Sequence, residues 1–428
     1  MMGAPDAPPP PSTVPVGARA AVYALVVLTI LNFVNYVDRY VLAAVLKPLH
    51  QDPAFRAVSD AQLGLLQTSF LVVYMIFSPI GGALGQRIKR KYIVAAGVGI
   101  WSLATLWSGA ARSYGEMLAA RALIGFGEAG YAAVAPALIS DLFARDRRAR
   151  MLSVFYVATP VGSALGFVLG GFVAQHWDWR HAFWVAGVPG LAFALLALFM
   201  AEPIRGVQDE PEPAPTAAAP QKFPLGAKWI YVTIGGALMT FTLGGLAFWA
   251  PTYFQEARAL TVEQAGVWFG GLTVVAGVVG TLAGGFLSDA WARRDPGAHM
   301  KLSGIGLALG VPFTLLAPYV PGLTLTLAIF FVAEILVFLN TGPLNAALVA
   351  SVSPRSRELA VGINILCIHL FGDAASPALL GRLNDLLVRG GMGAAHARSL
   401  SIASTALPLL LGGLVLLVGA RTFRPRAE

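Results

Sequence analysis

The chain has 428 residues, of which 57% are hydrophobic, 47 are glycine and only 12% are charged, with a net charge of +8. That charged fraction is roughly half of a soluble domain's share, which excludes a soluble enzyme, a nucleic-acid-binding module and a disordered protein. At about 20 apolar residues per crossing, the length accommodates a dozen membrane helices.

In chain order, residues 1–18 are polar and proline-rich, lack the basic-then-apolar pattern of a cleavable signal, and read as a disordered tail. Apolar runs then predict spans at 20–46, 61–84, 92–111, 116–140, 151–174 and 182–201, an N-terminal six-helix bundle over 19–201. The stretch 202–225, with its GVQDEPEPAPTAAAPQKF, is too polar and proline-rich for a helix and predicts a linker. A C-terminal bundle over 226–421 follows, with spans at 227–250, 263–288, 302–319, 323–350, 359–381 and 400–420, then a tail at 422–428. The expected fold class is an all-α membrane protein of twelve transmembrane helices in two pseudo-symmetric six-helix bundles. The lone cysteine, Cys367, leaves no disulfide framework or thiolate metal site.

Loop charge orients this plan. Of the 30 lysines and arginines, eight (Lys47, Arg56, Arg112, Arg180, Arg258, Arg382, Arg389 and Arg398) fall on one side and two (Arg39 and Arg121) inside the membrane. The remaining 20 share a side with both termini and the linker. By the positive-inside rule that side is cytoplasmic. The basic loops set topology and contact lipid headgroups rather than nucleic acid.

The two halves also echo each other. Ser59-x-x-Gln62-x-Gly64 and Thr261-x-x-Gln264-x-Gly266 are capping boxes opening the second and eighth helices. Gly82-x-x-x-Gln86 with Arg90 and Lys91 aligns with Gly285-x-x-x-Asp289 with Arg293 and Arg294. Pro136, Arg148 and Arg150 align with Pro343, Arg355 and Arg357. Three matches in order, at nearly constant offset, indicate duplicated units, the plan of transporters whose site lies between the repeats.

Ionisable groups in hydrocarbon are costly and usually functional. At 100° per residue, Asn32, Asn35, Asp38 and Arg39 occupy about 120° of one face of the first helix, suiting the wall of an aqueous cavity. The structural alternative is an ion pair of Asp38 with Arg39 or Arg121. On the fourth helix Arg121 and Glu128 lie seven residues apart, about 10 Å along one face. The functional reading makes Asp38 and Glu128 proton-accepting carboxylates, with Arg121 biasing which is ionised; the alternative is a fixed salt bridge between the first and fourth helices. Glu334, Thr341 and Asn345 share a face of the tenth helix, and His369, Asp373 and Ser376 a face of the eleventh.

Other motifs are set aside. Gly125-Phe126-Gly127-Glu128-Ala129-Gly130 fits a dinucleotide fingerprint, but it lies within an apolar helical span with no strand before it. The glycine runs at Gly162, Gly166 and Gly170, and at Gly280 and Gly284, read as close helix packing. No Walker lysine, HExxH or GxSxG motif is present, so no enzyme activity is expected.

Gly82-Ala83-Leu84-Gly85-Gln86-Arg87-Ile88-Lys89-Arg90-Lys91 resembles the loop motif of the major facilitator superfamily, with Gln86 where an aspartate is usual and Asp289 kept in the second copy. Arg121-x-x-x-Gly125-x-Gly127 resembles the superfamily's fourth-helix motif. Within the superfamily, Asn35-Tyr36-Val37-Asp38-Arg39-Tyr40, Gly125 to Tyr131, and His369 to Pro377 are similar to the Spinster lipid transporters. This resemblance implies a major facilitator fold working by alternating access, proton coupling through Asp38, Glu128 and Arg121, and a lysophospholipid or sphingosine-phosphate-like cargo. Arg39, Asn35, Tyr36, Tyr131, Glu334, Asn345, His369 and Asp373 are the expected substrate-binding residues, with Arg39 as anchor for an anionic headgroup. Gln86, Arg90, Asp289 and Arg293 would gate. Protons are the coupling ion, with no cofactor or metal, and a monomer in a bacterial inner membrane is expected. Two alternatives remain open: a proton-coupled symporter of small organic or sugar acids, and a multidrug antiporter, whose fifth-helix motif is matched except at Phe167.

Overall fold

The computed structural model describes residues 16–143, 145–204, 226–352 and 357–423. The expected terminal tails, apart from residues 16–18 and 422–423, and the linker beyond Ile204 lie outside these. Nine single helices come first: α1 (Ala18–Gln51), α2 (Asp60–Arg87), α3 (Arg90–Ala110), α4 (Tyr114–Leu142), α5 (Arg145–His176), α6 (Trp179–Leu198), α7 (Ala227–Ala257), α8 (Val262–Ala292) and α9 (Ala298–Leu316). Each contains one membrane-length apolar stretch. The tenth span pairs α10 (Leu323–Phe338) with α11 (Thr341–Ala350). The eleventh joins α12 (Arg357–Ile368) to α13 (Ser376–Arg389) through a π turn, His369–Asp373, and the twelfth joins α14 (Ala394–Ala403) to α15 (Ala406–Gly419). Twelve crossings result, so the protein is a multi-pass membrane protein of the expected class.

Most helices outrun their apolar stretches by a turn or more. α7 continues past position 250 through Pro251 because Thr252, Tyr253, Phe254 and Gln255 are all buried. Both capping boxes form. The Ser59 side chain accepts from Gln62 N and Gln62 returns to Ser59 N at 2.9 Å; Thr261 and Gln264 do the same at 3.1 Å each. At the end of α1, burial works against the ionised form of Asp52. Hydrogen bonds from Arg180 (2.5 Å), the Ala54 N–H (2.9 Å) and Trp179 (3.2 Å) outweigh it and hold the carboxyl below the usual carboxylate range.

The glycine runs do pack helices. A Cβ on Gly162 or Gly166 would stand 2.6 Å from the Phe33 or Val37 carbonyl of α1, and one on Gly280 would meet the Ile335 carbonyl of α10 at 2.6 Å. The dinucleotide-like glycines are likewise filled by protein. Gly125 abuts the Phe70 carbonyl and Gly127 the Gly97 carbonyl, leaving no room for a phosphate.

The halves are joined asymmetrically. At the end carrying the α1–α2 and α7–α8 connections, the distal end, one apolar core runs through both halves, from Leu42, Leu46 and Phe167 to Trp249, Phe254 and Phe269. Toward the opposite, linker end the cores separate, one around Leu28, Trp101 and Ile139, the other around Trp229, Leu307 and Leu416. Hydrogen bonds between the halves, from mid-membrane to the distal end, include Lys47 to the Gln255 carbonyl (3.0 Å), the Asp60 and Ala61 N–H groups to Asp385 (3.0 Å each) and Thr68 to the Ala374 carbonyl (2.5 Å). Among the described residues, the halves therefore meet at the distal end. Gly64 makes this closure possible, since a Cβ there would lie 2.3 Å from the Pro377 carbonyl. Gly64→Ala is expected to force the distal ends apart, read as increased labelling of a cysteine placed at Lys47; unchanged labelling would show that the contact does not hold the closure.

Candidate functional site

The polar face of α1 is shared among three neighbours rather than opening onto one cavity wall. Asn32 donates to the Phe155 carbonyl (3.0 Å) and to Thr159 (3.2 Å) on α5. Asp38, 1% exposed, meets the hydroxyl of Thr105 on α3, and its Oδ1 has no partner. Arg39 reaches α4, where its Nη2 stands 2.6 Å from Glu128 Oε2. The guanidinium of Arg39 also lies over the rings of Phe70 (4.9 Å), Tyr36 (5.0 Å) and Tyr74 (5.4 Å). Such contacts strengthen as water is excluded.

Arg121 does not hydrogen-bond Glu128, although the two share a helix. Its Nη2 donates to Gln67 Oε1 at 3.1 Å, it lies 5.1 Å from the Phe70 ring centre, and its Nε and Nη1 have no partner. The residue expected to anchor a headgroup, Arg39, is thus the one paired with Glu128, while Arg121 keeps two nitrogens unpartnered among the described residues. Asp38, Arg39, Arg121 and Glu128 act on one another electrostatically. With both carboxylates ionised their formal charges cancel; one proton leaves the group at +1.

The second half is sparser. Glu334, 2% exposed, accepts from Thr273 on α8 at 3.1 Å and keeps one oxygen unpartnered. Asn345 is not brought to it. The helix breaks at Leu339–Asn340, and Asn345 is exposed on α11, donating to its own Thr341 carbonyl (2.8 Å). In the π turn, Asp373 Oδ2 lies 3.0 Å from His369 Nδ1. Asp373 and Ser376 both stand against Gly244 of α7. Thr240 of α7 donates to the Ile368 carbonyl at 2.8 Å, and Thr68 of α2 to the Ala374 carbonyl, so a hydroxyl from each half flanks the turn.

The sequence profile of the Major Facilitator Superfamily matches residues 28–377. Protein spinster homolog 1 of Xenopus tropicalis is 35% identical over 394 residues, covering 87% of this chain and 74% of that protein. Its human counterpart is 34% identical over 387 residues, covering 85% and 73%. The chain belongs to the Spinster family of major facilitator transporters. The crystal structure of a bacterial homolog of the human lysosomal transporter Spinster, inward-facing and unoccupied, superposes with a TM-score of 0.87 over 96% of this chain and all of that one, at 24% identity. A nucleoside transporter matches with a TM-score of 0.69 at 14% identity, a likeness of fold alone.

In this Spinster-family chain the four expected gating residues form no single relay among the described residues. Arg90 is buried, with Nη1 2.6 Å from Asp141 and Nε 3.1 Å from Glu202, tying the start of α3 to the end of α4 and to the segment after α6. Gln86 lies in α2, its side chain outside the described residues. Asp289 and Arg293 are exposed, and Arg293 lines a recess of about 570 Å³ with Arg294 and Trp291. Tyr131 is turned into the bundle, its hydroxyl donating to the Leu28 carbonyl (3.0 Å) and its ring edge-on to Trp101.

Sequence reasoning missed the distal clasp. Arg398, read as a loop residue, is 2% exposed; its Nη2 is 2.6 Å from Asp60 of the first half and its Nε 2.9 Å from Glu256. Its guanidinium lies 4.2 Å from the Trp249 ring centre. Asn384 joins Asp60 at 2.5 Å. The internal repeat holds no signal for it, because Val262 stands where Asp60 does in the first copy.

Proposed function

We propose that this Spinster-family transporter moves an amphipathic lipid, of lysophospholipid or sphingosine-phosphate type, by proton-coupled alternating access. The observation that carries the coupling is the buried group of two carboxylates and two guanidiniums linking α1, α3 and α4. A proton arriving on Asp38 or Glu128 unbalances it, and a negatively charged headgroup offsets the surplus through the free donors of Arg121. Glu128 and a headgroup phosphate then compete for the Arg39 guanidinium, so proton binding and cargo binding favour each other. The lipid class follows from the Spinster resemblance of the segments around Asp38, Glu128 and His369. The distal closure supports an access path from the linker side, which the loop charge would make cytoplasmic in a bacterial inner membrane.

The test is transport in proteoliposomes, with and without a pH gradient, comparing lysolipids, sphingoid phosphates and small organic acids. Accumulation of a lysolipid or sphingoid phosphate to about tenfold over the equilibrated ratio under a one-unit gradient, absent from protein-free vesicles, is expected. Transport of the small acids alone would overturn the lipid assignment.

A further inference from the structure

We propose that Thr105 is the positioning residue that lets Asp38 take up and release a proton without losing its hydrogen bond. The inference rests on the proton-coupling reading above and adds a residue and a geometry to it. Thr105 is fully buried on α3, and its Oγ1 touches two acceptors: Asp38 Oδ2 on α1 and the Trp101 carbonyl of its own helix at 2.9 Å. A hydroxyl has one proton and two lone pairs, so it serves one acceptor at a time. When Asp38 is ionised, the Thr105 proton points at Oδ2. When Asp38 carries the proton on Oδ2, the carboxyl donates to Oγ1 and the hydroxyl proton turns to the Trp101 carbonyl. No covalent bond other than the carboxyl O–H forms or breaks, and that oxygen is satisfied in both states.

A threonine hydroxyl on the carbonyl four residues earlier is an ordinary helical contact. What sets Thr105 apart is the second acceptor, a buried carboxylate whose other oxygen has no partner. The charged groups facing Asp38 are Arg121 and Glu128 from α4 and Arg39 from α1 itself. α3 presents Thr105; α5, α6, α7 and α8 carry their acidic and basic residues only near their ends. The rotor is therefore the neutral element through which α3 senses the charge on α1.

The experiment compares Thr105→Val, Thr105→Ala and Thr105→Ser with the unchanged protein and Asp38→Asn, reading uptake against pH in proteoliposomes. The carbonyl stretch of the Asp38 carboxylic acid is followed by infrared difference spectroscopy. Valine and alanine remove a donor to the carboxylate and are expected to displace the pH midpoint by about one unit toward alkaline and to move the infrared band; serine restores both. A valine or alanine midpoint and band equal to those of the unchanged protein overturns the inference. So does a serine displacement as large as alanine's with valine unmoved, which would trace the effect to the lost methyl packing. Should Asp38→Asn still accumulate substrate under a pH gradient, the coupling reading falls as far as it runs through Asp38, and this inference with it. An uncoupled Asp38→Asn beside an unmoved Thr105→Val removes Thr105 alone.

Discussion

Asp38→Asn and Glu128→Gln are expected to abolish uphill transport while leaving downhill exchange of substrate. One proton moving down a one-unit pH gradient supplies 1.36 kcal/mol, about a tenfold substrate gradient. Each variant removes a group that can change charge, so accumulation falls from about tenfold to the equilibrated ratio of about one. The two should differ in stability. Asparagine can keep a hydrogen bond to Thr105, whereas glutamine leaves the Arg39 guanidinium without its ion partner at 2.6 Å. Breaking one side of a buried pair typically costs about 3–5 kcal/mol, so Glu128→Gln melts well below Asp38→Asn in a detergent thermal scan. Accumulation by both variants under the gradient would sink the coupling assignment, and equal melting would sink the account of Arg39.

Arg398→Ala loosens the distal closure. The guanidinium stands between Asp60 of the first half and Glu256 of the second, on the Trp249 ring. Removing it leaves the two carboxylates without their shared cation, with a cost on the order of 3–5 kcal/mol, and most of that falls on the state in which the halves meet distally. The expected result is a lower melting temperature together with a shift toward the conformation open at that end. A cysteine introduced at Leu63, which lines the 320 Å³ cavity beside the clasp, reports the opening by its labelling rate. Arg398→Lys keeps the charge but not the forked geometry and should fall between the two. Unchanged labelling in Arg398→Ala would mean that the clasp stabilises the bundle without governing access.

How much of this was legible beforehand depended on whether a residue's role was set by its own helix or by its neighbours. The spans, the repeat and both capping boxes follow from local patterns: apolar length, and a hydroxyl three residues before a glutamine. The charged residues of the first half stood out because nothing else explains Asp38, Arg39, Arg121 and Glu128 in hydrocarbon. Their partners did not. Helical spacing suggested Arg121 as the group that acts on Glu128; Arg39 crosses from another helix to make the direct ion pair, and Arg121 acts on Glu128 through space. Thr105 and Gln67 are ordinary residues in sequence and matter only through what faces them. Arg398 was misassigned for a related reason. Its helix starts in a polar stretch at Ala394 that looks like loop, and only the folded chain brings Asp60 to it from 338 positions away. The tenth span separates two residues read on one face by their surroundings: Glu334 is buried against Thr273, while Asn345 lies exposed beyond the turn at Leu339–Asn340.

The π turn at His369–Asp373 gives the eleventh span a reserve of slack. It holds one residue more than an α-helical path would use, its Ala374 N–H reaching back five residues to the His369 carbonyl. Were it to tighten to α, everything beyond Ala374 would rotate by about 100° and advance by about 1.5 Å relative to α12. Thr68 and Thr240 grip the flanking carbonyls from opposite halves, so the slack is held only while the halves keep their present spacing. A span that can lengthen and turn in its middle lets its distal half follow one bundle while its linker half stays with the other.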